Sequence, residues 1–312
     1  MTLPHTFRRS LMTLLLGVVA VSAFAQTQTA KPFEPQSGQP GKDVVWVPTP
    51  QALVDKMLDM AKVTPQDYVI DLGSGDGRTV ITAAKRGATA HGIEYNPDMV
   101  SLSQRNAAAQ GVGNKATFAK ADLFESDFSK ATVVTMFLLP SINMQLRPKI
   151  LNLKPGTRIV SNAFDMEDWD ADETATIPNC TQWCRAMLWI VPAKVDGSWR
   201  LPQGDLTLTQ KFQVVSGSLG SGAGATPIAN GKLRGDQITF EAGGSRYTGR
   251  VNGDTIQGTL TSGASTSNFQ ASRIRRELSS GVFVESVRPP NSQSSPRSLL
   301  HKNLGVFGGL GG

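Results

Sequence analysis

Apolar and polar positions change their period once within the body of this chain, near Asp196-Gly197. Before that point, short apolar runs alternate with amphipathic stretches. Tyr68 to Leu72, Ala88 to Glu94, Ala116 to Ala121, Thr132 to Leu138 and Thr157 to Asn162 have strand length and strand composition. Between them the apolar residues fall at helical spacing. Gln51 to Ala61 puts Leu53, Met57 and Met60 on one face. Thr79 to Arg86 is stopped by Gly87, and Asp98 to Gln110 follows a capping Asn96 with Pro97 at the first helical position. Ile142 to Leu153 ends in Lys154-Pro155-Gly156. Strand and helix in alternation predict an α/β fold with a doubly wound, mostly parallel sheet.

Past Asp196-Gly197 glycine becomes frequent and the period falls to two, as in Leu206-Thr-Leu-Thr-Gln-Lys-Phe-Gln-Val214. An internal repeat follows: Gly231 to Ile238 and Gly249 to Ile256 share a pattern with a spacing of 18 residues. Each carries a Gly-Asp pair, Gly235-Asp236 and Gly253-Asp254, suited to a tight hairpin turn. Phe269 to Ile274 reads as the last strand. The pattern predicts a small antiparallel all-β domain over 196–276, a meander or barrel of five or six strands.

The ends read differently. Residues 1–25 have a basic start with Arg8 and Arg9, an apolar run from Leu11 to Val21, and a small-x-small site at Ala23-Phe24-Ala25. This predicts a signal peptide cut after Ala25 and export to the periplasm; the run is too short for a stable bilayer anchor. Residues 26–43 are expected to be a flexible lead-in and 277–312 a disordered tail. The 312 residues carry a net charge of +6, which drops to +4 without Arg8 and Arg9. That is mildly basic and no nucleic-acid footprint. Three histidines and two cysteines cannot build a zinc site here, so no metal is expected. Cys180 and Cys184 read equally as a short-loop disulfide or as two free thiols.

Chemistry concentrates in Asp71-Leu72-Gly73-Ser74-Gly75-Asp76-Gly77-Arg78. Three glycines at every second position let a backbone pass close beneath a ligand, and the helix N-terminus behind them offers unpaired N–H groups. The spacing differs from the Gly-x-Gly-x-x-Gly of dinucleotide binders. Asp71 and Asp76 are poor neighbours for a pyrophosphate and suit a ligand with cationic groups, such as the ammonium and sulfonium of S-adenosylmethionine. Glu94, about 20 residues on at the tip of the next strand, is placed to accept ribose hydroxyls.

These residues, with Gly92-Ile93-Glu94-Tyr95-Asn96-Pro97, resemble the class I S-adenosylmethionine-dependent methyltransferases. Val47-Pro48-Thr49-Pro50, Phe137-Leu138-Leu139-Pro140-Ser141 and Leu153 to Ser161 make the chain similar to the lysine methyltransferases of the ATP synthase c-subunit and their bacterial relatives. The resemblance covers about Val44 to Val191. It implies a seven-stranded methyltransferase sheet, with Glu173 to Ile177 and Ala186 to Val191 as its closing hairpin, and a domain spanning 44–195. It implies S-adenosylmethionine as cofactor, held by Thr49, Asp71, Gly73, Ser74, Gly75, Asp76, Gly77, Glu94, Tyr95, Asn96, Asp122 and Leu123. It also places the loop of Leu139, Pro140, Ser141 and Asn143 beside the transferred methyl group, with Phe137, Leu139 and Trp169 lining an apolar acceptor pocket. The expected acceptor is a lysine of a protein, a membrane protein among the candidates, and not a nucleic acid. A small-molecule acceptor, or an exported binding protein without turnover, is the alternative.

Overall fold

The computed structural model describes residues 33–274. The expected signal segment 1–25, the start of the lead-in and the 277–312 tail lie outside the described residues.

Seven strands form the first sheet: β1 (Tyr68–Leu72), β2 (Thr89–Glu94), β3 (Ala116–Lys120), β4 (Val133–Met136), β5 (Arg158–Asn162), β6 (Glu173–Thr176) and β7 (Arg185–Ile190). Their order is β3-β2-β1-β4-β5-β7-β6, parallel throughout except that β7 runs against both of its neighbours. The predicted sheet and its closing hairpin are therefore present, with strand ends within two residues of expectation. The chain steps away from β1 on one side through β2 and β3, then returns to pair β4 on the other. That reversal opens a crevice at the carboxyl ends of β1 and β4, the place where such sheets bind ligands.

Helices α1 (Gln51–Met60), α2 (Arg78–Lys85) and α3 (Pro97–Ala109) cover one face. Leu53, Val54, Val80, Ile81 and Val100 bury against Val69, Val133, Val160 and Leu188. The other face has a single helix, α4 (Pro140–Ile150), which packs Ile142, Leu146 and Ile150 on Ile70, Val134 and Ile159. Its remaining apolar surface is covered by loop residues Phe128, Met166 and Trp169 and by Phe212 from the second domain. Trp169 was expected at the acceptor pocket. It is instead fully buried on this face, tilted against Trp189 and stacked on Phe212 at 5.6 Å.

The second domain is a closed antiparallel barrel. Its strands are β8 (Gly197–Leu201), β9 (Gly204–Lys211), β10 (Val214–Leu219), β12 (Ala229–Arg234), β13 (Gln237–Ala242), β14 (Ser245–Asn252), β15 (Thr255–Ser262) and β16 (Ser265–Arg273). A two-residue strand, β11 (Thr226–Pro227), hangs on β10. β16 pairs with β8, β8 with β9 and β9 with β10, which closes a ring of eight strands. The count exceeds the expected five or six because the repeat covers only β12 to β15. Gly235-Asp236 and Gly253-Asp254 are two-residue turns as predicted, with Arg234 paired to Gln237 and Asn252 to Thr255. Leu206, Leu208, Leu233, Ile238, Phe240, Tyr247, Ile256 and Phe269 fill the interior.

The barrel and the sheet belong to one compact unit. Ala193 N–H donates to the Gly235 carbonyl at 2.8 Å, Gln213 Nε2 to the Asp170 carbonyl at 2.8 Å, and Arg234 pairs with Glu173 at 2.7 Å. Gly235 stands so close to Gly156 that a Cβ there would come within 2.9 Å of its Cα.

Candidate active site

The cleft at the carboxyl ends of β1 and β4 collects residues from five segments. Asp71, Gly73, Ser74, Gly75 and Asp76 come from the β1–α2 turn, and Glu94, Tyr95 and Asn96 from the end of β2. Asp122 and Leu123 follow β3, Phe137 and Leu138 follow β4, and residues 39–49 form the roof.

Gly73, Gly75 and Gly77 have φ of 76°, 54° and 84°. This left-handed run is what bends the chain from strand into helix, and glycine adopts it without a steric penalty. The open sides of two of these glycines face protein side chains. A Cβ on Gly75 would stand 2.5 Å from Trp46 Nε1, and one on Gly77 would meet the Phe118 ring at 2.8 Å. Close approach is thus the reason for the glycines, but Trp46 and Phe118 are the partners that use it. Gly77 does not line the cleft; it packs into the core behind it.

Asp71 is 6% exposed, and its Oδ1 accepts the Thr135 hydroxyl at 2.6 Å. Burial pushes its carboxyl up to about 7; the charges of Glu94 and Asp76 add to this and the Thr135 hydrogen bond opposes it. No cation lies within ion-pair reach among the described residues. Glu94 divides its carboxylate. Oε2 accepts from Gly75 N–H and Oε1 from Asn96 N–H, both at 2.9 Å. Each oxygen keeps a lone pair for a further donor. Asn96 is the cap of α3, its Oδ1 accepting from Asp98 N–H at 2.9 Å.

Four expectations need correction. Asp76 is not free for a cationic ligand: Arg78 Nε donates to its Oδ1 at 3.0 Å, and Arg78 Nη1 reaches the Thr49 carbonyl at 2.9 Å. The pair clamps the roof to the glycine turn. Asn143 is fully buried and donates to the Asp165 carbonyl at 3.0 Å, holding the β5–β6 loop and not reaching the cleft. Leu139, Pro140 and Ser141, expected beside the transferred methyl group, do not line the cleft. Pro140 starts α4, since its fixed φ and missing N–H suit a first helical position. That start turns Asn143 inward and leaves Leu139, Pro140 and Ser141 exposed. Phe137, Leu138 and Ile142 line the cleft in their place.

The lead-in is the fourth correction. The end of the expected flexible stretch 26–43 folds with the start of the domain: residues 36–46 form a small hairpin, with Gly38 N–H on the Trp46 carbonyl and Trp46 N–H on the Gln39 carbonyl. Lys42 pairs with Asp122 at 2.7 Å and lies over the Tyr95 ring at 5.2 Å. The Lys42 ammonium and the Phe124 N–H hold Asp122 below the usual carboxylate range. Thr49, 8% exposed, accepts from Asn162 Nδ2 at 3.2 Å. Sequence reasoning missed Trp46 and Lys42. An aromatic and a cation in a Gly- and Pro-rich segment give no periodic signal.

The observed donors and acceptors fit S-adenosylmethionine. Asp71 is a buried carboxylate without a counter-ion among the described residues, and Glu94 has spare lone pairs, whereas Ser74 Oγ, buried without a partner, sits over Gly92 beside the Phe118 ring. An ammonium and ribose hydroxyls supply what the two carboxylates lack.

A sequence model of the ANTKMT methyltransferase domain matches residues 71–173. A protein-lysine N-methyltransferase of Saccharolobus islandicus (strain REY15A) is 45% identical over 137 residues, 43% of this chain and 85% of the relative. The Homo sapiens lysine N-methyltransferase of the ATP synthase c-subunit is 33% identical over 162 residues, 51% of this chain and 68% of the relative. A solved structure titled as an RNA methyltransferase from Salinibacter ruber in complex with S-adenosyl-L-homocysteine shares 45% identity, covering 48% of this chain and 96% of that one at a TM-score of 0.45. With a relative of which it covers 85% at 45% identity, the chain belongs to the family of protein-lysine N-methyltransferases.

Proposed function

We propose that the protein transfers a methyl group from S-adenosylmethionine to a lysine amine of another protein. The observation that carries this is the cleft lined both by an uncompensated buried Asp71 and by a half-committed Glu94 that is hydrogen-bonded to the glycine turn. Asp71 would hold the ammonium end, and Glu94 the ribose hydroxyls. Lys42, Asp122 and Tyr95 close one side of the cleft. The bound cofactor supplies an electrophilic methyl on sulfonium. The chain's own work is alignment and exclusion of water. Phe137, Leu138, Met136 and Ile142 make an apolar wall. A lysine amine entering there loses hydration, which favours its neutral, nucleophilic form.

We also place the protein outside the reducing cytosol. The signal-like start supports export. So does the Cys180–Cys184 disulfide, since such bonds persist in oxidising compartments. A membrane protein is the acceptor we favour, because relatives are named as lysine methyltransferases of the ATP synthase c-subunit and of the adenine nucleotide translocase.

Incubation with methyl-labelled S-adenosylmethionine and a membrane fraction, followed by mass spectrometry of the labelled protein, tests the reading. Methyllysine is the expected product. Absence of any heat on titration with S-adenosylmethionine would overturn the enzyme assignment, and a labelled small molecule would overturn the protein acceptor.

A further inference from the structure

Three aromatic rings from three separate segments meet beside the cleft. Phe137 follows β4 and lines the cleft wall. Phe164 belongs to the β5–β6 loop, and Trp183 to the β6–β7 turn. The Phe137 and Phe164 centroids are 6.0 Å apart, and each is 5.5 Å from Trp183. None of the three belongs to the buried cores, and Trp183 is 37% exposed. An indole held in the open beside a cleft adds little to folding.

The backbone is strained to keep it there. Trp183 has φ 56°, Asn179 φ 54° and Ala163, just before Phe164, φ 62°. Left-handed conformations at non-glycine residues persist only where the surroundings enforce them. Here the disulfide between Cys180 and Cys184 closes the turn around Trp183. Arg185 Nη2 ties that turn to the Phe164 loop by donating to the Ala163 carbonyl at 2.9 Å. The same loop carries Asp165, Glu167 and Asp170, exposed and in no ion pair among the described residues.

We infer that Phe137, Phe164 and Trp183 form the wall that receives the acceptor lysine, with the acidic loop drawing basic residues around it, and that the Cys180–Cys184 bridge is the positioning element for Trp183. This rests on the methyltransferase reading and says where its acceptor lies. Aromatic faces attract ammonium groups, methylated or not, without needing an N–H donor, and they pack against an aliphatic stem. A lysine therefore meets the rings as a cation, gives its proton to solvent water there, and packs against Leu138 and Met136 as the neutral amine.

The test uses Nα-acetyl-trimethyllysine amide as probe and the norleucine analogue as its uncharged control. Indole N–H resonances are followed by two-dimensional NMR, with Trp183 assigned by its loss in Trp183→Phe. The Trp183 resonance is expected to shift with the cationic probe at millimolar concentration and not with norleucine. Trp183→Ala should weaken probe binding at least tenfold, Trp183→Phe should restore most of it, and Cys180→Ser with Cys184→Ser should mimic the loss. In all of them S-adenosylhomocysteine affinity should stay within twofold. Equal shifts with both probes, or unchanged probe binding in Trp183→Ala, would overturn the wall while leaving the methyltransferase reading intact. Failure of the wild-type protein to bind S-adenosylhomocysteine would remove that reading instead, and the probe shift would still decide the wall.

Discussion

Gly75 N–H donates to Glu94 Oε2 at 2.9 Å, so the glycine turn and the second strand share one carboxylate. The other oxygen holds Asn96 N–H at the start of α3. Glu94 therefore supports the site as well as facing its ligand. Glu94→Ala should cost about 2–4 kcal/mol of S-adenosylmethionine binding. It should also lower folding stability by roughly 1–2 kcal/mol, because two N–H groups lose their acceptor. Calorimetric titration and denaturant melts measure the two separately. A cofactor affinity within twofold of wild type would show that the ribose is not held here.

Asp71 makes the free protein pH-sensitive. Its folded value of about 7 lies above the reference 3.8. Its contribution to stability is thus fully present below the lower value and is lost as pH rises through the upper one. A bound ammonium has the opposite demand and keeps the carboxyl ionised. Cofactor affinity should therefore rise with pH from about 6 to 8, with protons released on binding below 7. Asp71→Asn should abolish that pH dependence and weaken binding. Titrations in buffers of different ionisation enthalpy count the protons, and an affinity flat from pH 6 to 8 in the wild type would reject this account.

Two glycines of the turn should respond differently to alanine. At Gly77 the Cβ meets the Phe118 ring and Ser103 Cβ within 3 Å, inside a packed core and at φ 84°. Gly77→Ala should cost about 2–4 kcal/mol, from strain plus overpacking. At Gly75 the obstacle is the end of the Trp46 side chain, which can swing aside. Gly75→Ala should lose less stability, yet disturb the roof and weaken cofactor binding. Thermal melts beside titrations separate the two, and equal stability losses would count against the distinction.

Phe212 joins the barrel to the sheet. It stacks on Trp169 at 5.6 Å, and the Arg147 guanidinium lies over its ring at 5.2 Å. Phe212→Ala should cost about 2 kcal/mol, below the range for fully buried aromatics because the ring is half-buried. A chain ended at Lys194 should expose Trp169 and aggregate, so the barrel should not be removable without loss. A soluble truncation with wild-type cofactor affinity would contradict this.

Local chemistry determined much of this protein before any folding was considered. Short apolar runs and period-3.6 stretches specify β1 to β5 and α1 to α3 to within two residues and α4 to within three, because burial imposes that spacing. Asp71, Glu94 and the glycines are legible for the same local reason: strand-end carboxylates and left-handed turns leave marks in a few adjacent residues. What only the tertiary structure decided are contacts between distant segments. Pairing of Asp76 with Arg78 and Thr49, burial of Asn143 under the β5–β6 loop, and the seat of Trp169 beneath Phe212 each depend on which neighbours the fold brings. No periodicity reports that Trp46 fills the space over Gly75, nor that Cys180 and Cys184 bond around Trp183. Closure of the barrel is likewise a long-range pairing of β16 with β8, which strand-by-strand patterns cannot announce because alternation is the same in an open meander and a closed ring.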